Sequence, residues 1–448
     1  MQHHPENRIS TRTMTRRDFL WLATVSTAGA VTGCAINPVT GQRQLMFLTE
    51  SDEIQLDQEN SPHQFSSDYG DVQDSSLNYY LTQVGNELVA NSHRPNMPYS
   101  FRCVNATYVN AYAFPGGSIA ATRGILLELD NEAELAGLLG HEIGHVNARH
   151  TAERMTKSIL TSLVVAGVAI YVEKKHEKYA ALAAGLGNIA AGALLAHYSR
   201  DDERQADELG MEYMTRVGYN PQGMVGLMEV LRSLSDHKPS AIDMMFSTHP
   251  MSEERYQTAK QRTETTYLAM QDYPLNQERY MDATAGLRQI KEAIENLQEG
   301  EKAMTQEQYS KAEGFFDNAL RQVPDDYAGL VMMSKCQLAL NNSKKAEYYA
   351  EQAKRVYPAE AQAQHVSGIA KLDQNKYDAA YQDFDRYETM LPGNPNTIFL
   401  KAVALEGMQY RQKASEEYYR YLQNINEGDQ AEYAYDRLIQ WGYLKPQQ

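Results

Sequence analysis

The chain has 448 residues, 42% of them hydrophobic, and a formal net charge of -16. That is enough apolar material for two or three cored domains, and the wrong sign for a nucleic-acid partner, because neutralising phosphates takes clustered Lys and Arg. Three cysteines are too few for a scaffold built on disulfides.

The charge is unevenly spread. Residues 1–33 hold four Arg against Glu6 and Asp18, a surplus of two positive charges that leaves -18 on the remainder. Thr15-Arg16-Arg17-Asp18-Phe19-Leu20 has the form of a twin-arginine export signal, the apolar run 20–31 follows, and Val31-Thr32-Gly33-Cys34 has the form of a bacterial lipobox. Residues 1–33 are therefore expected to be removed as a signal peptide, with Cys34 lipidated and anchoring the chain to a membrane. A plain N-terminal anchor is the alternative, for which the run is short. Ala35 behind Cys34, where an Asp would signal retention, is compatible with the outer membrane, facing the periplasm. Cys103 and Cys336 read as small buried hydrophobes.

Asn37-Pro38-Val39-Thr40-Gly41 reads as a turn and residues 49–59 as a short acidic helix. Extended pieces are expected at 99–104 and at Ser118, Ile119, Ala120, Ala121 and Thr122, with the turn Pro115-Gly116-Gly117 between them. Asp130 or Asn131 caps the next helix, Glu134 stands where a capping box needs it, and Leu135, Leu138, Leu139 and Ile143 mark the buried face. Two apolar stretches follow at 159–172 and 180–196. The first is 14 residues long and the second contains Asn188, so both read as buried or interfacial helices in preference to a membrane hairpin.

Beyond about residue 265 the pattern is helical and repeats. Ala312, Ala346, Ala380 and Ala414 are spaced by 34, as are Pro324, Pro358 and Pro392, and as are Ser334, Gly368 and Ala402. That period is the tetratricopeptide signature: small residues let paired helices approach, and Pro recurs where the second helix of each unit stops. Phe316, Phe384 and Tyr418 mark an aromatic position at which Ala350 is the exception.

His141-Glu142-Ile143-Gly144-His145 carries the chemistry. On a helix the two His project from one face at a spacing that suits one Zn²⁺, and Glu142 is placed to act as general base and acid in amide hydrolysis. A metzincin would need Gly at 148 and His at 151, where this chain has Ala148 and Thr151. His150, nine positions from His141, is half a turn out of phase on a continuing helix. In 199–207, Glu203 and Asp207 lie four apart on one helical face. Glu203 reads as a third ligand with Asp207 accepting the N–H of a ligating His, although taken alone the run is also that of a solvated charged helix.

Together these motifs resemble the HtpX and CAAX-prenyl-protease class of gluzincins, in which His-Glu-x-x-His is followed far downstream by Glu-x-x-Ala-Asp. The likeness extends to residues 110–117, Thr122-Arg123-Gly124, Ser247-Thr248-His249-Pro250, Arg255 and the Asn37 turn. It implies Zn²⁺ on His141, His145 and Glu203, with Asp207 behind them. It also implies a site role for His249, either as a fourth ligand that keeps the enzyme latent or as a donor to the oxyanion with Arg255 assisting.

The expected organisation is mostly α with a small sheet: a signal peptide (1–33), an α+β zincin protease domain (34–265), a helical linker (266–296) and a tetratricopeptide solenoid with a C-terminal cap (297–448). The expected function is a zinc endopeptidase of the cell envelope that cleaves misfolded or stalled envelope proteins. Its repeats would recruit substrate or an outer-membrane assembly machine, and substrate would add as a strand beside Ser118–Thr122. The competing reading is a chaperone or adaptor whose zincin domain is silent, against which the intact Glu142 stands.

Overall fold

The computed structural model describes residues 34–157, 197–237, 239–425 and 427–445; the expected leader and both apolar stretches lie outside the described residues. Strands β1 (Cys34–Ile36) and β2 (Arg43–Leu45) pair as a small antiparallel ribbon around the Asn37 turn, whose side-chain oxygen accepts from the backbone of Val39 and Thr40. Helices α1 (Glu50–Ser67) and α2 (Ser75–Ala90) start on the side chains of Thr49 and Asp74. Then come β3 (Ser100–Val104), β4 (Ala111–Ala113) and β5 (Ser118–Thr122).

The sheet order is β3-β5-β4, with β5 parallel to β3 and antiparallel to β4. This corrects one expectation: Ser118, Ile119, Ala120, Ala121 and Thr122 form the central strand and have no free edge for a substrate. Among the described residues, the sheet edge that reaches the site is that of β4. Thr122 donates to the carbonyl of Asn110, and Phe114 donates to that of Ser118. Alternation along an antiparallel ladder therefore turns the backbone groups of Ala111 and Ala113 away from β5.

After the short helix α3 (Arg123–Glu128), α4 (Glu132–Ala148) begins where the Asn131 side chain accepts from the Glu134 backbone, while the Glu134 carboxylate takes the Asp130 N–H. Every residue of α4 is buried. It packs against α5 (Arg200–Arg216) with almost no space between the backbones. A Cβ added at Gly140 would stand 3.1 Å from Gly210, and one at Gly144 3.0 Å from the Ala206 carbonyl. Such contact fixes the register of the two helices within a fraction of a turn. Helices α6 (Gln222–His237), α7 (Pro239–Thr248) and α8 (Glu253–Glu264) close the layer on the far side.

Residues 266–296, read from the sequence as a linker, pack on the protease core. Helices α9 (Gln277–Ala283) and α10 (Ala285–Gln289) seat Tyr280, whose hydroxyl donates to the Leu126 carbonyl at 2.6 Å, and Arg288, which donates to that of Leu129 at 2.6 Å. Four antiparallel helix pairs follow: α11 and α12 (Lys291–Thr305, Tyr309–Gln322), α13 and α14 (Tyr327–Ala339, Ser343–Val356), α15 and α16 (Gln362–Asp373, Tyr377–Met390), α17 and α18 (Pro395–Gly407, Arg411–Leu422), with α19 (Asp429–Gln440) last. Ala312, Ala346, Ala380 and Ala414 are fully buried, as is the exception Ala350. Each pair turns on a left-handed residue, Glu307, Asn341, Asn375 and Gln409, again 34 apart. The first repeats grip the protease domain through the buried Arg123–Asp326 ion pair, the Thr107–Glu301 and Ser66–Glu360 hydrogen bonds, and Gln298 on the Thr107 carbonyl at 2.6 Å. Among the described residues no helix is long and apolar enough to cross a membrane. Cys103 and Cys336 are both free and buried.

Candidate metal centre and active site

One helical turn separates His141 from His145, and the tight α4–α5 contact brings Glu203 over the same point. The His141 and His145 Nε2 atoms are 3.0 Å apart; Glu203 lies 3.3 Å from His145 Nε2 and 3.6 Å from His141 Nε2. The fourth donor comes from the end of α7. His249 Nδ1 is 3.3 Å from His141 Nε2 and 3.1 Å from Glu203 Oε1. One ligand atom from each of these four buried residues lies within 4.8 Å of all the others.

The donor set itself tests the fit to a metal. His141 Nδ1 sits 2.9 Å from Asp207 Oδ1, so it carries the proton and leaves a bare lone pair on Nε2, facing another imidazole. Converging lone pairs and a carboxylate repel unless a cation stands among them. Four donors at roughly 2.0–2.1 Å from a tetrahedral ion stand about 3.3 Å from one another, and the contacts given above, 3.0 to 3.6 Å, bracket that value.

Arg255 organises the far side. Its Nε and Nη2 reach the two Asp207 oxygens at 2.7 Å each, Nη1 lies 2.6 Å from Glu203 Oε2, and Nη1 also donates to the Pro250 carbonyl at 3.0 Å. Burial would push both carboxyls up. The opposing charges win: His249 and His141 hold Glu203 well below its usual range, and Arg255 lowers Asp207. The guanidinium is spent on these partners behind the ligands. The expected assistance of Arg255 to an oxyanion is therefore corrected to a role in anchoring Asp207, Glu203 and the loop that carries His249.

Glu142 is fully buried and neither carboxylate oxygen has a hydrogen-bond partner; Oε1 lies 3.8 Å from His249 Nε2. Burial raises its carboxyl above the ordinary range, the direction that favours a general base. A cleft of about 420 Å³ is lined by His249 together with Tyr108, Tyr112, Ala113 and Tyr198.

Two neighbours of the site were not expected from the sequence. Tyr198 stacks on His145 with ring centroids 3.8 Å apart. His150 is not in phase with a continuing helix, but α4 stops at Ala148. Arg149, at φ 62°, then swings His150 back so that its Nδ1 lies 2.9 Å from His145 Nδ1. The far nitrogen of His150 meets Gln205 Oε1 at 2.9 Å and Asp202 Oδ1 at 3.8 Å. Burial lowers both His145 and His150, disfavouring their charged forms. No local sequence signal marked that helix stop, because what holds Arg149 is Glu53 and the Leu48 carbonyl, both distant in the chain.

Residues 75–263 match the model of peptidase family M48, and residues 7–42 match a model described as the ubiquitinol-cytochrome C reductase Fe-S subunit TAT signal. The chain is 27% identical over 372 residues to the beta-barrel assembly-enhancing protease of Yersinia pestis, covering 77% of this chain and 76% of that one. It is 29% identical over 253 residues to metalloprotease YcaL of Escherichia coli, covering 54% and 96%. Its match to the Escherichia coli beta-barrel assembly-enhancing protease, 28% identical, covers 43% of this chain and only 40% of the relative. With the buried His141, His145, Glu203 and His249 cluster inside the matched span, residues 75–263 are a metallopeptidase domain of family M48, followed in this chain by tetratricopeptide-like helical repeats.

Proposed function

We propose that the protein is a zinc-dependent endopeptidase of the bacterial cell envelope that cuts unfolded or stalled envelope proteins. The observation that carries this is the convergence of bare imidazole nitrogens and Glu203 on one point beside the unpartnered Glu142. Imidazole and carboxylate in tetrahedral array suit zinc among the common divalent ions. When bound, zinc polarises the scissile carbonyl and makes water a better nucleophile. Glu142 takes the proton of the attacking water and returns it to the leaving amine. Asp207 and Arg255 hold His141 and Glu203 in place.

Substrate is proposed to lie extended along β4, whose Ala113 lines the cleft and whose outer edge pairs with no other strand among the described residues. The export-signal match supports passage out of the cytoplasm, and the lipobox supports a lipid anchor at Cys34. The relatives' names support a role near outer-membrane assembly, with the repeats recruiting either substrate or an assembly machine. Purified protein should contain one equivalent of zinc and cleave an unfolded casein-like chain, with activity lost to a chelator and restored by zinc. Zinc binding without cleavage of any unfolded chain would favour the adaptor reading.

A further inference from the structure

The two helix-borne histidines are held by different means. His141 donates from Nδ1 to Asp207, a carboxylate that leaves no choice of tautomer. His145 has no carboxylate behind it; its Nδ1 faces another imidazole nitrogen, that of His150, at 2.9 Å. A gap of that size between two ring nitrogens holds one proton, and which ring carries it decides whether His145 Nε2 points a lone pair or an N–H at the metal position.

The surroundings of His150 settle the direction. Its outer nitrogen, Nε2, meets only acceptors, Gln205 Oε1 at 2.9 Å and Asp202 Oδ1 at 3.8 Å. The proton of His150 therefore sits on Nε2, its Nδ1 is an acceptor, and His145 must donate from Nδ1. His145 Nε2 is then bare, as a ligand requires. Tyr198, stacked on one face of the His145 ring, keeps that ring from turning, and its own hydroxyl is engaged with Thr151 at 3.1 Å.

We propose that Gln205 and His150 form a two-member hydrogen-bond relay that sets the tautomer of His145, making His150 a positioning residue for metal binding. The relay rests on the metallopeptidase reading above. It also explains why α4 ends at Ala148: the left-handed Arg149 is what carries the His150 ring back to His145. Gln205, two positions after Glu203 on α5, ties the relay to the helix that brings the third ligand.

The test is the zinc dissociation constant of the purified protein, measured by competition with a chromophoric chelator, with thermal unfolding of the zinc-free forms as a fold control. His150→Leu should bind zinc about 10–100-fold more weakly, the usual cost of removing an outer partner of a ligating His. His150→Gln, whose amide oxygen can accept the same N–H, should regain most of that loss at an equal unfolding temperature. Should His150→Leu fail to fold, Gln205→Met, at the solvent-facing end of the relay, should weaken binding in the same sense. In folded protein its effect should vanish on top of His150→Leu, since both break one chain. Wild-type affinity in His150→Leu, equal weakness in the Leu and Gln variants, or full additivity with Gln205→Met would overturn the relay. A wild-type chain that binds no zinc would instead overturn the metal reading, and the relay with it.

Discussion

Two regions of this molecule bury charge, and they treat it in opposite ways. In the repeats, Lys371 bonds Glu351 and Asp383 at 2.7 Å each, Lys354 takes the other Asp383 oxygen at 2.7 Å, and Ser367 adds a further donor. Attraction and hydrogen bonding in that cluster offset the cost of leaving water, and none of its four charged side chains lacks a partner. Around His141 the reverse holds. Lone pairs face one another, and Glu142 has no partner on either oxygen although it is fully buried. A fold does not keep such an arrangement for its own stability, so the contrast marks the part of the chain that reacts.

The sharpest way to break that contrast is Glu142→Gln. If the unpaired carboxylate exists for proton transfer, the variant should retain zinc and lose about 10²–10⁴-fold in kcat/KM on an unfolded substrate. Retained turnover would mean that the carboxylate is not the base. An equivalent loss of charge on the supporting side should act on stability. Asp326→Asn keeps an acceptor for the Gly329 N–H but leaves Arg123 buried without a counter-charge, at a cost of about 3–5 kcal/mol in urea unfolding at neutral pH. Burial pushes the Asp326 carboxyl up, but Arg123 outweighs it and holds the folded value below the usual 3.8. The pair's contribution is therefore complete above about pH 4 and fades as pH falls through the depressed folded value. The gap between wild type and variant should close in acid; a gap that stays constant down to pH 2 would contradict the ion-pair account.

Asp207→Asn gives a smaller effect and sharpens the comparison from within the site. Asn retains the size, but its NH₂ group must face either the His141 N–H or the Arg255 guanidinium, donor against donor, and Arg255 has one charged partner fewer. Zinc affinity should fall about 10–100-fold while the repeats unfold as before. A variant that bound zinc normally would show that Asp207 serves packing alone.

How much of this could be read from the sequence differs between the regions for a physical reason. The repeats declare themselves because each unit solves the same local packing problem, so Ala346 and Pro358 recur at a fixed period. The two ligating histidines are equally plain, since a helix alone sets their spacing. Glu203 needed a second motif, because only the Gly140–Gly210 and Gly144–Ala206 contacts bring α5 to α4. Ser118–Thr122 was misjudged as an edge because strand order is a long-range property: β3 reaches β5 by a parallel pairing that no local pattern announces. Arg255 was misread because its partners come from another helix; His150 was rightly set aside as a ligand, but its contact with His145 was missed because Arg149 breaks the helical phase.

The mildest expected change is the most informative about regulation. His249 enters the cluster through Nδ1, at ligand distance from His141 and Glu203, on a loop that Arg255 ties down through the Pro250 carbonyl. As a fourth donor, His249 would fill the position an attacking water needs and would make this closed arrangement a latent one. If the open form is a minor state of about 10%, His249→Ala removes the closed competitor and raises basal cleavage of an unfolded chain about tenfold. Zinc would be held somewhat less tightly in the same variant, because one donor is gone. The opposite result, a fall of about 10²-fold or more with zinc retained, would mean that the imidazole chiefly stabilises the oxyanion after it leaves the cluster. Both readings make His249 move, and they differ in which position matters more to the rate. An unchanged rate would assign neither role to His249, and would leave its approach to Glu203 a matter of packing at the end of α7.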